Sequence, residues 1–269
     1  MQKTGGENIE YHAVSMPALM GFMVDEKTNE LKVVQTCPSA GKCKFECFAL
    51  KGNYQYPATS LRQHQRLNYL MNDWNGFRDQ LLAEINKAYY TNKARKYKTG
   101  IRWHDAGDFF SDGYINIAFD IANKTPDVEH YAYTKEFLKL NNHPDKPKNF
   151  RFTFSMEGKY DKFLLRSLQN VSFRYSHIVP YELFKDLLKP EKGEKWNFTP
   201  DDVLELKRRI IEKYGQSQNL NNQNVFTYKE MMKMPDNPKR KINVIVSAND
   251  GDEPASERDD VDGIYLLEH

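Results

Sequence analysis

All three cysteines of the 269-residue chain, Cys37, Cys43 and Cys47, lie within one short segment. An odd number of thiols cannot be used up in disulfides, and thiolates are soft metal ligands, so the cluster predicts a metal centre. A [4Fe-4S] cluster held by three cysteines leaves one iron open to another ligand. A structural zinc site needs a fourth ligand, for example His64 or His104. The third alternative is three buried thiols without metal.

The spacing within the segment suggests how the sulfurs are arranged. Cys43 and Cys47 are four residues apart, so one helical turn would place both sulfurs on the same side. Lys42, Lys44 and Lys51 add positive charge, which we expect to favour the thiolate forms.

A second group of polar residues follows a predicted strand at 100–104. Arg102, His104, Asp105, Gly107 and Asp108 would stand at the carboxyl end of that strand, where parallel α/β proteins bind ligands. We therefore predict that these residues bind a cofactor. The structural alternative is that Asp108 or Ser111 caps the next helix, that Arg102 pairs with a neighbouring acid, and that His104 is a core residue.

Polar residues near the ends of other predicted strands extend this group. We assign Lys135, Ser155, Arg174 and Asn249 to the same cofactor site, by position alone. The acidic run that begins at Asn249 lacks the twelve-residue ligand spacing of a calcium loop, so we predict a solvated loop there.

Hydrophobic periodicity predicts the elements that hold these residues. A hairpin is predicted at 21–24 and 31–35, and helices at 59–71, 74–91, about 111–122, 160–167 and 201–214. Further strands are predicted at 100–104, 128–134, 150–155, 171–176 and 242–247.

Strands that alternate with helices indicate an α/β fold with a mainly parallel sheet. Counting the strand before the cysteines, we predict a partial (β/α) barrel of about six strands, with a flat doubly wound sheet as the alternative. Residues 1–269 are interpreted as one domain, with about 190–238 as a helical insertion before the last strand. Residues 267–269 are interpreted as the start of an expression tag.

Composition limits the partners and the compartment. The formal charge of +2 indicates no strong field for nucleic acid, and no apolar run approaches 18 residues, so no membrane partner is expected. Three clustered thiols without further cysteines indicate a reducing compartment, so we expect a cytoplasmic protein.

The three cysteines after a strand resemble those of the radical S-adenosylmethionine (SAM) superfamily. That superfamily uses C-x3-C-x2-C, whereas this chain has C-x5-C-x3-C. The resemblance implies a [4Fe-4S] cluster whose open iron binds SAM, an electron donor, and a barrel that shields the reaction. It also implies that polar residues at the strand ends contact SAM. In this chain the Gly107–Asp108 pair stands where the superfamily usually has Gly-Gly-Glu.

A second resemblance, over about Val33–Ser176, is to the gene product eighty-eight family of phage proteins. It rests on Cys37-Pro38-Ser39-Ala40, on Cys43, and on Cys47-Phe48-Ala49-Leu50-Lys51-Gly52. Further matches are Tyr54, Arg66 with Asn68, the segment 107–111, and Tyr133-Thr134-Lys135. It implies a viral origin and hence the host cytoplasm.

Two functions follow from these residues and resemblances. The first is a radical SAM-type iron–sulfur enzyme that acts on an unknown substrate, with a nucleotide or nucleic acid as the natural class for a phage protein. The alternative is a non-catalytic phage module, stabilised by zinc or iron–sulfur, that binds nucleic acid or a host protein.

Overall fold

The computed structural model describes residues 3–4, 8–45, 47–141, 143–168, 174–188, 198–247 and 253–267. The strands are β1 (Lys3–Thr4), β2 (Ile9–Val14), β3 (Gly21–Asp25), β4 (Glu30–Val34), β5 (Lys98–Trp103), β6 (Glu129–Thr134), β7 (Phe150–Ser155), β8 (Arg174–Val179), β9 (Val225–Thr227), β10 (Ile242–Val246) and β11 (Val261–Leu267). The helices are α1 (Pro57–Asn72), α2 (Trp74–Ala94), α3 (Asp112–Lys124), α4 (Phe137–Asn141), α5 (Asp161–Leu168), α6 (Pro200–Gln218), α7 (Tyr228–Met231) and α8 (Glu253–Glu257).

The first of two compact units comprises residues 1–152 and 157–160. Its strands follow the order β1-β2-β5-β6 and the start of β7, with β2–β5 and β5–β6 parallel and β1 antiparallel to β2. β5 runs through the core, where the Trp103 ring is fully buried among Phe109, Tyr114 and Phe150. The end of β5 is therefore a rigid base for the residues that follow it.

Helix α3 leaves the end of β5 through a capped turn. The Ser111 hydroxyl accepts a hydrogen bond from the Tyr114 N–H at 3.2 Å, which confirms Ser111, of the two candidates, as the N-cap. The helix predicted here from hydrophobic periodicity is confirmed, and its apolar residues Ile115, Ala118 and Phe119 are buried.

The strand before the cysteines, β4, was predicted to belong to the parallel sheet, and this prediction is wrong. Among the described strands, β4 pairs only with β3, in an antiparallel hairpin separate from the main strand order. The hairpin itself is confirmed, but the cysteines do not follow a strand of the parallel sheet. The first parallel strand is instead β2, which lies in a segment for which no strand was predicted.

The second unit comprises residues 153–156 and 161–269. Its strand order is β7-β8-β11-β10-β9, and its described pairs are all parallel. β10 is buried along its whole length, as its apolar sequence, interrupted only by Asn243, predicts. Helix α6 begins with a capping box between Thr199 and Asp202, which confirms the predicted cap and helix.

The strand predicted at 171–176 is confirmed in part: β8 runs from Arg174 to Val179, and 171–173 lie outside the described residues. The segment interpreted as an insertion adds β9 to the sheet beside β10, and its status as an insertion stays a prediction. Leu267, interpreted as the start of a tag, is the last residue of β11.

The mixed α/β class with a mainly parallel sheet is confirmed, whereas the estimate of about six strands was too low. In neither unit do the first and last described strands of the sheet pair with each other, so neither unit forms a closed barrel. The partial barrel and the single domain stay predictions. None of the described helices has the length and apolar character that crossing a membrane requires.

Candidate metal and cofactor site

Residues 36–56, here called the cysteine loop, carry the three thiols on a chain of short turns. Turns of 3-10 helix cover Lys42–Phe45, Phe48–Leu50 and Gly52–Gln55. Cys43 lies in the first turn and Cys47 just before the second, so the prediction of one helical turn carrying both sulfurs is wrong. All three cysteines are half-buried free thiols.

Burial dominates the ionisation of Cys37 and Cys47. It raises the pKa of Cys37 to about 12, the negative charge of Asp108 adds to this effect, and the Leu19 N–H, 3.4 Å from the sulfur, opposes it. Burial also raises the pKa of Cys47, with a further contribution from Cys43. Burial therefore outweighs the effect of nearby positive charge at Cys37 and Cys47, and both thiols keep their protons at neutral pH.

The charge on one sulfur also changes the pKa of another. Charge on Cys43 or Cys47 raises the Cys37 pKa, and charge on Cys43 raises the Cys47 pKa. A metal that bound Cys37 and Cys47 would have to displace their protons, so its affinity would rise with pH.

No group of three or more His, Cys, Asp or Glu side chains within the described part of the chain is arranged to hold a metal ion. The two histidines considered as a fourth ligand make other contacts. His64 Nδ1 lies 2.8 Å from the Ser60 carbonyl oxygen, and His104 Nε2 lies 3.1 Å from the Tyr114 hydroxyl. Burial lowers the pKa of His104 to about 3, so it is neutral.

The cysteine loop is fastened to the end of β5. The Asp108 N–H donates to the Thr36 carbonyl oxygen at 2.8 Å. The Tyr54 hydroxyl donates to Asp105 Oδ2 at 3.2 Å. These contacts bring the three cysteines together with the second predicted group, which lies more than 50 residues further along the chain.

Asp105 is the centre of a small polar cluster. Besides the bond from Tyr54, its Oδ1 accepts a hydrogen bond from the Ser15 hydroxyl. Arg66 donates to the Ser15 carbonyl oxygen at 2.5 Å, which links helix α1 to the same cluster. Asp105 is half-buried, and a carboxylate has about four acceptor positions, so it retains capacity for a ligand.

Residues 157–159 hold the other side of the cysteine loop. The Cys43 N–H donates to the Glu157 carbonyl oxygen at 3.2 Å, and the Lys159 N–H donates to the Ser39 carbonyl oxygen at 3.0 Å. A Cβ added to Gly41 would lie 2.6 Å from the Glu157 oxygen. Glycine at position 41 therefore allows these two backbones to lie against each other.

Gly107 has a packing role. Its φ of +83° is in the region that favours glycine, and an added Cβ would lie 2.7 Å from the Met16 Cβ. The space that we expected a ligand to use is occupied by Met16, so the close approach is between two backbone segments of the protein.

Asp108 organises the end of β6. Its buried carboxylate accepts hydrogen bonds from the Thr134 hydroxyl at 2.5 Å and from the backbone N–H groups of Lys135 and Phe109, both at 2.8 Å. Burial raises the pKa of Asp108, and these three bonds oppose the rise. The carboxylate thus joins the ends of β5 and β6.

Arg102 and Lys135 supply positive charge in this region. The Arg102 guanidinium lies 5.9 Å from the ring centre of Tyr131 and 5.4 Å from that of Tyr133, as in cation–π contacts. Burial raises the pKa of Cys47, and the positive charge of Lys135 lowers it by a smaller amount, so Lys135 interacts electrostatically with this thiol.

The remaining predicted residues belong to the second unit. The Ser155 hydroxyl lies 3.2 Å from that of Ser176. Arg174 begins β8, so its predicted place at the carboxyl end of a strand is wrong; its Nε donates to the Val261 carbonyl oxygen at 3.0 Å. Asn249 lies outside the described residues. Cofactor binding by these three stays a prediction.

Sequence reasoning gave no role to Ser15, Tyr54 or Arg66, all of which shape this region. Thr134 was a candidate only through its position beside Lys135 at the end of a predicted strand. Tyr54 and Arg66 were noted only within the family resemblance. Ser15 carries no pattern that marks it, because its partner Asp105 is 90 residues away.

These features define a class: an α/β protein with a mainly parallel sheet and a three-cysteine loop packed on the carboxyl end of one parallel strand. The family model described as Gene product 88 matches residues 2–260. The chain therefore belongs to the gene product 88 family, the phage family that its motifs resemble. No curated protein and no solved structure matches the chain.

Proposed function

We propose that Cys37, Cys43 and Cys47 bind a [4Fe-4S] cluster with one open iron, and that the protein is a radical SAM-type enzyme. The observation that carries this proposal is the pair of contacts that fasten the cysteine loop to the end of β5, Tyr54 to Asp105 and Asp108 to Thr36. They attach the loop that carries the three soft donors to the strand end that carries Asp105 and Asp108, whose carboxylates would suit a zwitterionic cofactor.

The type and number of donors suit the cluster, and binding it would have to gather the three thiols, which are not grouped as a metal site in the described structure. Three thiols in one loop supply sulfur ligands, and the half-buried setting limits contact with water. When bound with SAM, the cluster would supply the electron for reductive cleavage of the sulfonium. The electron donor that reduces it would be a separate partner.

Individual residues have different expected roles toward SAM. Asp105, with acceptor capacity left, would hold the amino group, and the cations of Arg102 and Lys135 would favour the carboxylate. Asp108 and Gly107 act instead through the backbone they position, since the Asp108 oxygens already accept three bonds and Gly107 packs on Met16.

The first test is metal content. Protein purified without oxygen should be brown and contain about four irons and four sulfides per chain, as a [4Fe-4S] cluster requires. Cys43→Ala should lose this iron, whereas Asn53→Ala, an exposed residue of the same loop, should keep it. Colourless protein with stoichiometric zinc, or full iron content in Cys43→Ala, would overturn the cluster.

The second test separates SAM chemistry from a bare cluster. Adding SAM should change the electron paramagnetic resonance spectrum of the reduced protein. Asp105→Asn should keep its iron but need about tenfold more SAM for the same change, as for a lost charge-assisted hydrogen bond. Asp112→Asn, exposed on α3, is the matched control. A brown protein that does not respond to SAM would favour a non-catalytic iron–sulfur module.

A further inference from the structure

Large aromatic side chains are exposed on and beside the cysteine loop. Phe45 is 78% exposed, Phe48 53% and Tyr56 63%. Exposed apolar groups clustered in one short segment mark an interaction surface more often than single ones do. These rings flank Cys47, which lies between Phe45 and Phe48.

The segment that carries the rings is held in place. The Lys51 N–H donates to the Phe48 carbonyl oxygen at 3.0 Å, and Gln55 Nε2 donates to the Leu50 carbonyl oxygen at 2.8 Å. The Phe48 ring meets the Tyr54 ring edge to face at 5.8 Å, and Tyr54 is bonded to Asp105. The rings are thus presented by an anchored backbone.

Positive charge accompanies the rings. Lys42, Lys44, Lys51 and Arg62 are exposed, and none of them forms an ion pair with a described residue. The Lys44 ammonium lies 5.0 Å from the ring centre of Phe45. In the sequence from Thr36 to Asn72, Glu46 is the single acidic residue, so the excess charge is positive.

Three basic residues on helix α6, unlike those on the cysteine loop, form ion pairs with carboxylates of the protein. Lys207 pairs with Glu230, Arg208 with Glu205 and Glu212, and Arg209 with Glu205 and Asp186. Their charge is met by carboxylates within the protein. The charge on the cysteine loop and the start of α1 is available to an anionic partner.

We propose that Phe45, Phe48 and Tyr56, together with Lys42, Lys44, Lys51 and Arg62, form a binding surface for single-stranded nucleic acid. Flat exposed rings stack on unpaired bases, and nearby cations contact the phosphates. This inference goes beyond the proposed function, because it depends on exposed rings and charges and requires no metal at the cysteines.

The direct test is binding of a labelled oligonucleotide of about 16 nucleotides, as DNA and as RNA, followed by fluorescence anisotropy. Single strands should bind more tightly than a duplex of the same length. With four cations engaged, the logarithm of the affinity should fall with that of salt concentration with a slope of about −3.

Variants separate stacking from charge. Phe45→Ala and Phe48→Ala should each weaken binding about 5- to 100-fold, as expected for the loss of one stacked base. Tyr90→Ala, an equally exposed ring on α2, should not. Lys42→Ala with Lys51→Ala should reduce the salt slope by about 1.4, whereas Lys229→Ala on α7, an exposed lysine, should leave it unchanged.

Several results would overturn the proposal. Unchanged affinity in the Phe45→Ala, Phe48→Ala double variant, with its fold confirmed by circular dichroism, would exclude stacking. Equal affinity for the duplex would do the same. Binding to phosphatidylserine-containing vesicles or to polyglutamate, but not to the oligonucleotide, would assign the surface to a membrane or to an acidic protein.

Discussion

The Tyr54 hydroxyl donates a hydrogen bond to Asp105 Oδ2 at 3.2 Å, joining residues that are 51 positions apart. Burial raises the pKa of Tyr54 and the negative charge of Asp105 raises it further, so the phenol keeps its proton and remains a donor. This bond connects the metal-ligand candidates to the candidate cofactor residues at the end of β5.

We expect Tyr54→Phe to lower the free energy of unfolding by about 1–2 kcal/mol, the usual contribution of a hydrogen bond to a carboxylate. Urea unfolding at neutral pH measures this loss. Tyr56→Phe is the matched control, since the Tyr56 ring is exposed and its hydroxyl makes no hydrogen bond among the described residues. Equal stability of the two variants would show that the bond contributes nothing.

Replacing Asp108 with alanine should have a larger effect. Three donors, from Thr134, Lys135 and Phe109, would lose their acceptor in a buried place, at a cost of about 3 kcal/mol or more in unfolding free energy. Urea unfolding again measures it, with exposed Asp145→Ala as the control. A loss below about 1 kcal/mol would contradict the role of this carboxylate in joining β5 to β6.

His130 should make the fold sensitive to mild acid. Trp103 Nε1–H donates to His130 Nδ1 at 3.1 Å, so the neutral ring carries its proton on Nε2, 2.9 Å from the Thr125 hydroxyl. A proton added to Nδ1 would face the Trp103 N–H. Burial accordingly lowers the His130 pKa to about 3.

The resulting pH dependence has a defined sign. Because the folded pKa lies below the unfolded value of about 6.5, stability is fully present above pH 6.5 and falls as pH drops toward 3, by about 2 kcal/mol at pH 5 for this residue. In urea unfolding, His130→Gln should lose about 2 kcal/mol less unfolding free energy than the wild type between pH 7 and pH 5. His143→Gln should lose as much as the wild type. If both variants lost the same amount, the pH dependence could not be assigned to His130.

Asp260 should control stability at lower pH. It is fully buried; burial would raise its pKa, but hydrogen bonds from Arg258 and Arg240, at 2.8 and 2.6 Å, outweigh this and hold the pKa at about 2. Its contribution, about 2 kcal/mol, is present above pH 4 and lost as pH falls to 2.

Thermal unfolding of Asp260→Asn between pH 4 and pH 2 tests this. The variant should be less stable than the wild type at pH 4, and the difference should narrow toward pH 2. Asp259→Asn, its exposed neighbour, should follow the wild type. A difference that does not depend on pH would mean that Asp260 stabilises through packing rather than charge.

Much of the fold could be predicted from the sequence wherever one hydrophobic pattern dominates a segment. Helices α1, α2 and α3 and strands β7 and β10 follow from their periodicity or their apolar runs. β2 was missed because Glu10 interrupts its apolar sequence. That carboxylate is nevertheless buried and is bonded to Arg95, 85 residues away, a partner that no local pattern reveals.

The candidate site was predictable in residue type but less so in arrangement. The cysteines and the 102–108 segment were chosen for their chemistry, and the structure brings them together. Sequence alone could not show that β4 leaves the main sheet, since its exposed residues Leu31 and Val33 resemble those of any edge strand. Nor could it show that the carboxylate oxygens of Asp108 accept hydrogen bonds from Thr134 and Lys135 at the end of β6.

The anchors of the cysteine loop have a consequence for the order of folding. Its thiols belong to residues 37–47, but its backbone bonds come from Asp108 and from residues as late as Lys159. During synthesis the thiols leave the ribosome long before the segments that will enclose them. Contacts of such large sequence separation form late, so the loop reaches its final shape only after most of the first unit has folded.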